Sequence, residues 1–210
     1  MSQSGYDEHL ETVLSLAFVA EFRDSDTSQH LRRISHVARL IGAAWGLDED
    51  TVAVLGLAAP MHDVGQVAIP DDILLKPGRL TEDERRVMQD HTVIGHRLLS
   101  SGATPVLKMA CDIARSHHER WDGLGYPDGL EGDATPLPAR IVNIADVFDA
   151  LLTKRIYKQP HELKEAEELL RLGAGMQFDP EVVEAFFRTE PAIAEVYSAF
   201  DDEEEGAWVA

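Results

Sequence analysis

The chain has 210 residues, of which 44% are hydrophobic and 27% are charged, and its formal net charge is −19. These proportions are typical of one globular domain with a substantial core, and so acidic a chain lacks the clustered cations with which proteins bind nucleic-acid polymers. The sequence shows neither an apolar run of about 18 residues, as a membrane span requires, nor a secretory signal. We therefore expect a cytoplasmic protein with no membrane partner.

The first part of the chain is predicted to be helical, with one loop. Residues 1–20 are predicted to form a short helical lead-in or linker, and apolar residues recur at helical spacing from Leu31 to Ile41. A further helix is predicted to start near Thr51 and to be bent or interrupted by Pro60. The stretch 69–80 contains two prolines and a glycine, which indicates a loop.

The second part of the chain is also predicted to be helical. Thr81 and Glu84 have the spacing of a capping box, and the helix that they begin carries His91 on its apolar face. The next helix leads to His117, and the glycines and prolines of 123–138 predict an irregular segment. Helices are then predicted over 141–152, 162–172 and 180–187, followed by an acidic tail over 191–210. No run of alternating strand residues occurs, so the predicted fold class is all-α.

Seven metal-binding side chains are predicted to lie on apolar helical faces or in apolar runs. They are His30, His62, Asp63, His91, His117, His118 and Asp146. One such histidine is more often a hydrogen-bonded core residue than a ligand, but a buried carboxylate without a partner is strongly disfavoured. Neutral imidazole and carboxylate bind transition metals without thiolates, so two or more divalent metals explain the whole set most economically.

Two pairs in this set are adjacent in the sequence, and four other histidines are not on apolar faces. Because neighbours on a helix point about 100° apart, His62 and Asp63 can reach neighbouring metals, or Asp63 can bridge two. Centres with two bridged metals are used to hydrolyse phosphoesters. The remaining histidines are expected to be on polar faces or near helix ends, exposed to solvent: His9, His36, His96 and His161.

The order of these motifs resembles that of the HD-GYP family of metal-dependent cyclic dinucleotide phosphodiesterases. His62-Asp63 corresponds to the "HD" motif and Gly125-Tyr126-Pro127 to the "GYP" motif. The resemblance extends from about Glu21 to Phe187, and it includes the segments 69–71, 76–78, 144–151 and 175–180. It implies a single HD-type helical bundle over 21–190 with a buried His/Asp metal centre.

The resemblance also implies roles for particular residues. The metal ligands would be the seven residues named above, holding two divalent metals, with Fe or Mn favoured and Ni, Co or Zn as alternatives. Asp26 occupies a place where some members use Glu to help hold a third metal, and a solvated carboxylate at a helix start is an equally good interpretation. Arg155 and Lys158 would bind the substrate phosphates, and Tyr126 would lie near the substrate. Catalysis would depend on Asp63, Tyr126, Arg155 and Lys158.

One position departs from the family pattern. The usual motif continues with a lysine four residues after the histidine, and this chain has Gln66 there, which can donate a hydrogen bond to the substrate phosphate but carries no charge. The leading hypothesis is a phosphodiesterase that converts cyclic di-GMP to pGpG, and to GMP if a second cleavage follows. The alternatives are a weakly active module that binds cyclic di-GMP or a partner protein, and a phosphohydrolase for another nucleotide.

The resemblance bears on partners as well. Domains of this family often follow a receiver or sensor domain, whereas residues 1–20 indicate only a helical lead-in. The Gly-Tyr-Pro loop is the expected contact surface for other signalling proteins.

Overall fold

The computed structural model describes residues 9, 11–17, 19, 28–153 and 161–200, and these form helices, short 3-10 turns and connecting loops. The helices are α1 (Ser28–Trp45), α2 (Glu49–Ala58), α3 (Asp71–Leu74), α4 (Glu82–Leu99), α5 (Pro105–Ser116), α6 (Leu137–Leu152), α7 (Leu163–Gly173), α8 (Pro180–Arg188) and α9 (Glu190–Ala199). Within this part of the chain no strand occurs beyond two isolated bridges, so the all-α prediction is confirmed.

The core is built around α1. Its apolar residues at helical spacing, from Leu31 through Ile34 to Ile41, are buried almost completely, and α1 packs against α2, α6, α8 and α9. Phe148 of α6 and Phe186 of α8 meet edge to face with their ring centres 4.7 Å apart. Each such side chain contributes about 1.5–3 kcal/mol when it is removed from water, so this central packing fixes the helices that surround it.

Three predicted boundaries differ from those in the structure, each for a local reason. Helix α2 begins at Glu49, since the Asp48 side chain accepts the backbone N–H of Thr51. The expected loop 69–80 contains the short helix α3, which follows Pro70 and has acidic residues in its first turn. The irregular segment 123–138 ends earlier than predicted: α6 starts at Leu137, because a proline is tolerated in the first helical turn.

The capping box is confirmed at the start of α4. The Thr81 side chain accepts the N–H of Glu84, and the Glu84 carboxylate accepts the N–H of Thr81. Lys76 from the preceding loop donates to the same carboxylate at 2.6 and 2.7 Å. The loop 69–80 is thereby tied to the helix that carries His91.

Both ends of the described chain pack against the core. Residues 11–17 are helical, and Leu14 and Ala17 are buried against Leu31 and Leu57. The stretch 190–199, most of which was expected to belong to an acidic tail, forms α9 instead, because Ile193, Val196 and Tyr197 recur at helical spacing and pack on the core. The acidic run 201–205 lies outside the described residues. No helix in the described part of the chain is both long and apolar enough to cross a membrane.

Candidate metal centre

The seven predicted ligands come from five different parts of the fold and meet in its interior. His30 lies in the first turn of α1, and His62 and Asp63 follow the 3-10 turn Ala59–Met61 that continues α2. Two potential metal-binding groups result: Asp63, His91, His117 and His118 form the first group, and His30, His62 and Asp146 form the second group. Within each group the candidate ligand atoms lie within 4.8 Å of one another.

Two glycines allow the first group to assemble. A Cβ atom on Gly65 would overlap with the backbone carbonyl of His91, so only glycine lets the turn after Asp63 lie directly against α4. On α4, Gly95 faces Gly65 and the side chain of Ala114 on α5. This close approach brings His91 Nε2 to 3.1 Å from Asp63 Oδ1.

Backbone carbonyls orient three of the imidazoles. The Nδ1 atoms of His62, His91 and His117 lie 3.1, 2.7 and 3.1 Å from the carbonyl oxygens of the residues three or four positions earlier. Because a carbonyl oxygen can only accept, Nδ1 must carry the proton and Nε2 must carry the lone pair. This is the arrangement in which histidine presents Nε2 to a metal.

The same three Nε2 atoms are buried without a hydrogen-bond partner among the described residues, and so is Asp63 Oδ1. A buried polar atom that lacks a partner costs roughly 1–3 kcal/mol, and four of them converge here. Divalent cations bound at the two groups would satisfy these atoms. The donor set of imidazole nitrogens and carboxylate oxygens therefore fits metals such as iron, manganese or zinc.

Asp63 lies between the two groups. Its Oδ1 is 3.1 Å from His91 Nε2 and 3.4 Å from His117 Nε2, while its Oδ2 is 3.6 Å from His62 Nε2. Burial by itself would raise the pKa of Asp63, but the His62 and His91 imidazoles hold that pKa well below its usual range. Asp63 is thus a carboxylate placed to contact metals in both groups.

Burial keeps two of the surrounding histidines neutral, whereas Asp63 outweighs burial at His91 and raises the pKa of that imidazole. Burial lowers the pKa of His62, and it lowers the pKa of His118 well below the usual value, with the neighbouring His117 acting in the same direction. Neutral imidazole is the form that binds metals. Both residues are therefore in the protonation state that a ligand requires.

The second group depends on a residue that sequence reasoning did not assign. Asp149 Oδ2 accepts a hydrogen bond from His30 Nδ1 at 2.7 Å, and Arg33 Nε donates to Asp149 Oδ1 at 2.5 Å. Burial would raise the pKa of Asp149, but His30 and Arg33 lower it to about 2. Asp149 lies in the same apolar run as Asp146, three residues later, and that shared helical face was the available signal.

Gln66 belongs to the metal centre itself. It lies in the 3-10 turn Val64–Ala68, is 9% exposed, and donates from Nε2 to Asp63 Oδ2 at 2.5 Å. The amide therefore restrains the carboxylate that connects the two groups. A lysine at this position would bring its charge next to the same carboxylate.

Tyr126 covers one side of the first group. Its ring stacks on His118 with centres 4.7 Å apart and an angle of 28° between the planes. Gly125 runs so close to the backbone of 118–120 that a side chain there would overlap with it. The buried Glu119 carboxylate accepts the N–H groups of Asp128 and Leu130, which fixes the rest of the loop. Burial raises the pKa of the Tyr126 hydroxyl, so it stays a neutral donor.

Two of the histidines expected to be exposed are packed instead. His96 Nδ1 lies 3.1 Å from Cys111 Sγ, because α4 and α5 approach closely at Gly95. His36 stacks on Phe200 with ring centres 5.1 Å apart, because α9 covers that face of α1. Neither histidine joins a metal-binding group. Asp26, Arg155 and Lys158 lie outside the described residues, so their predicted roles stay predictions.

Comparison with known proteins agrees with this geometry. A sequence model of the HD domain family matches residues 16–182, and the chain belongs to that family. The chain is 48% identical over 190 residues to the cyclic di-GMP phosphodiesterase response regulator RpfG of Xanthomonas campestris pv. campestris, which covers 90% of this chain and 50% of that protein. It is 42% identical over 174 residues to 3'3'-cGAMP-specific phosphodiesterase 2 of Vibrio cholerae, covering 83% of this chain and 33% of that protein.

A solved structure supports the same fold. The HDG"Y"P protein from Bdellovibrio bacteriovorus superposes with a TM-score of 0.63 at 18% identity, covering 89% of this chain and 62% of that one. With its intact Gly125-Tyr126-Pro127 motif, the chain is an HD-GYP member of the HD domain family. It spans half or less of the length of the two curated relatives described above.

Proposed function

We propose that this chain is a metal-dependent phosphodiesterase that hydrolyses cyclic di-GMP to pGpG, with GMP as the product of a second cleavage. The observation that carries the proposal is the pair of adjoining His/Asp groups with Asp63 between them. The names of relatives at 42–48% identity support a cyclic dinucleotide as the substrate. Bound divalent metals would supply an activated water and stabilisation of the charge that develops on the phosphate.

The chain's own residues would prepare the site for this chemistry. Asp63 would serve as a ligand in both groups, and the carbonyl-bound imidazoles would keep their Nε2 atoms directed inward. Tyr126, held against His118, would present its hydroxyl and ring edge to the substrate at the side of the first group. Arg155 and Lys158 would bind the phosphates in an otherwise acidic chain.

The two groups support two divalent metals per chain, one for each group. Iron and manganese are favoured by the family resemblance, with nickel, cobalt and zinc as alternatives, because a donor set of imidazoles and carboxylates accepts all of these ions. A third metal would require Asp26, and that assignment stays a prediction. Metal analysis by mass spectrometry on protein purified without oxygen tests both the number and the identity of the ions.

The substrate could also be a related cyclic dinucleotide. The relative from Vibrio cholerae is named for 3'3'-cGAMP, so this nucleotide is the second candidate. We place cyclic di-GMP first because the more similar of the two curated relatives is named for it. Product chromatography with both cyclic dinucleotides, and with a generic phosphodiester as the control, decides between them. Equal rates on all three compounds would contradict a dedicated cyclic dinucleotide site.

A binding module with little turnover is the alternative function. Gln66 supports it, because this position lacks the cation that the family pattern places beside the phosphates. The intact set of seven candidate ligands favours the enzyme. Cytoplasmic location stays a prediction from the sequence, and contacts with other signalling proteins through the Gly-Tyr-Pro loop stay a prediction of the family resemblance.

A further inference from the structure

A buried ion pair lies directly behind the second metal group. Asp149 receives hydrogen bonds from His30 Nδ1 at 2.7 Å, from Arg33 Nε at 2.5 Å and from Arg33 Nη2 at 3.1 Å. All three residues are 1–2% exposed. His30 and Arg33 are one helical turn apart on α1, and Asp149 is one turn beyond Asp146 on α6.

We propose that Asp149 and Arg33 are positioning residues that control metal affinity at the second group, an inference that rests on the proposed metal centre. The hydrogen bond to Asp149 occupies His30 Nδ1, which assigns metal binding to Nε2 and fixes the orientation of the ring. A carboxylate on the far nitrogen also makes the imidazole more basic and hence a stronger ligand. Arg33 holds that carboxylate with a two-pronged contact, so Asp149 cannot turn away from His30.

The C-terminal helix completes this arrangement. Arg33 Nη1 donates to the backbone carbonyl of Phe200 at 2.8 Å, where α9 ends. The Arg33 guanidinium also lies 5.6 Å from the centre of the Tyr197 ring, and that ring meets Phe148 of α6. Helix α9 therefore covers the ion pair and fixes the guanidinium in place. Through Arg33 and Asp149 the seating of α9 is connected to His30.

The test uses the 210-residue chain and Co²⁺ as a spectroscopic probe in place of the native metal. Titration followed by visible absorption without oxygen is expected to show two binding phases in the wild type. The variant His118→Ala, which alters the first group only, assigns the phases. Asp149→Asn should lower the cobalt affinity of the second-group phase by about 10- to 100-fold. The cobalt affinity of the other phase should stay within about twofold of the wild-type value. Arg33→Lys should lower the cobalt affinity of the same phase to a smaller extent, because lysine keeps the charge but cannot make the two-pronged contact with the Asp149 carboxylate.

Asp179→Asn is the matched control. Asp179 is a buried carboxylate paired with an arginine, Arg140, at 2.5 Å, and it belongs to neither metal group. The control should lower the melting temperature as much as Asp149→Asn does, with both cobalt phases unchanged. A folded Asp149→Asn protein that binds both cobalt ions with wild-type affinity would overturn the proposal.

Two further outcomes are decisive. If Asp149→Asn does not fold, Arg33→Lys becomes the deciding variant. An Arg33→Lys protein whose cobalt affinity at the second group is unchanged overturns the inference. A wild-type protein that binds fewer than two cobalt ions contradicts the proposed centre as well. These results separate the failure of this inference from the failure of the proposed function.

Discussion

Replacing Gln66 by lysine tests how this site compensates for a missing charge. The amide nitrogen donates to Asp63 Oδ2 at 2.5 Å from a position that is 9% exposed, so it already contacts the carboxylate between the metal groups. A lysine ammonium at this place can keep that contact and add a positive charge beside the phosphate. A charge-assisted hydrogen bond contributes about 1.5–3 kcal/mol, which corresponds to roughly 10- to 150-fold in kcat/KM.

We therefore expect slow but measurable hydrolysis of cyclic di-GMP by the wild type. In Gln66→Lys we expect kcat/KM to rise by roughly 10- to 150-fold. Gln66→Met is the control, because methionine keeps the length and removes the polar atoms. The kcat/KM of Gln66→Met should fall below the wild-type value, since Asp63 then loses a restraining hydrogen bond. The assay is steady-state product chromatography on protein whose metal content has been matched.

Two results would refute this reasoning about Gln66. A fully metal-loaded Gln66→Lys protein with kcat/KM at or below the wild-type value would show that the added charge does not reach the phosphate. Wild-type and lysine proteins that bind cyclic di-GMP without forming product would support the binding module instead.

Three other changes have defined outcomes. Gly65→Ala should push the turn after Asp63 away from α4, lower stability by about 1–3 kcal/mol and weaken metal binding at the first group; an unchanged melting temperature would contradict the close packing. The Lys76 hydrogen bond lowers the pKa of the Glu84 carboxyl. The ionised carboxylate therefore stabilises the fold above the ordinary pKa of glutamate, and this stabilisation is lost as the pH falls through the lowered pKa. In urea unfolding, the free energy of unfolding of Glu84→Gln should decrease less below about pH 5 than that of the wild type. Arg155→Ala should raise the KM for cyclic di-GMP with metal content unchanged, and equal loss of metal would argue for a structural role.

The sequence was sufficient to predict the helical class and to place seven candidate ligands together. Each ligand lies on an apolar helical face or at the end of one, and burial of several such residues in one core brings them into contact. The apolar spacing alone did not show that Asp146 and Asp149 have different roles. The two aspartates share a face of α6, and only the three-dimensional structure shows that one faces His62 while the other contacts His30 Nδ1.

Other differences arise from packing that a single helix cannot reveal. His96 is on a polar face of α4 considered alone, but Gly95 lets α5 approach and place Cys111 against it. The apolar spacing of Ile193, Val196 and Tyr197 was present in the sequence, but the acidic run that follows suggested a solvated tail. In both cases a neighbouring element determined the environment.

Metal content is the most direct test of the central claim, that two His/Asp groups share Asp63. The chain purified without oxygen should contain two divalent metals, and Asp63→Ala should lose both metals together with hydrolysis. His161→Ala is a suitable control, because the His161 imidazole is paired with the exposed Glu165 carboxylate and belongs to neither metal group. It should keep both the metals and the activity. Fewer than one tightly bound metal per wild-type chain, or an Asp63→Ala protein that retains two, would contradict the account.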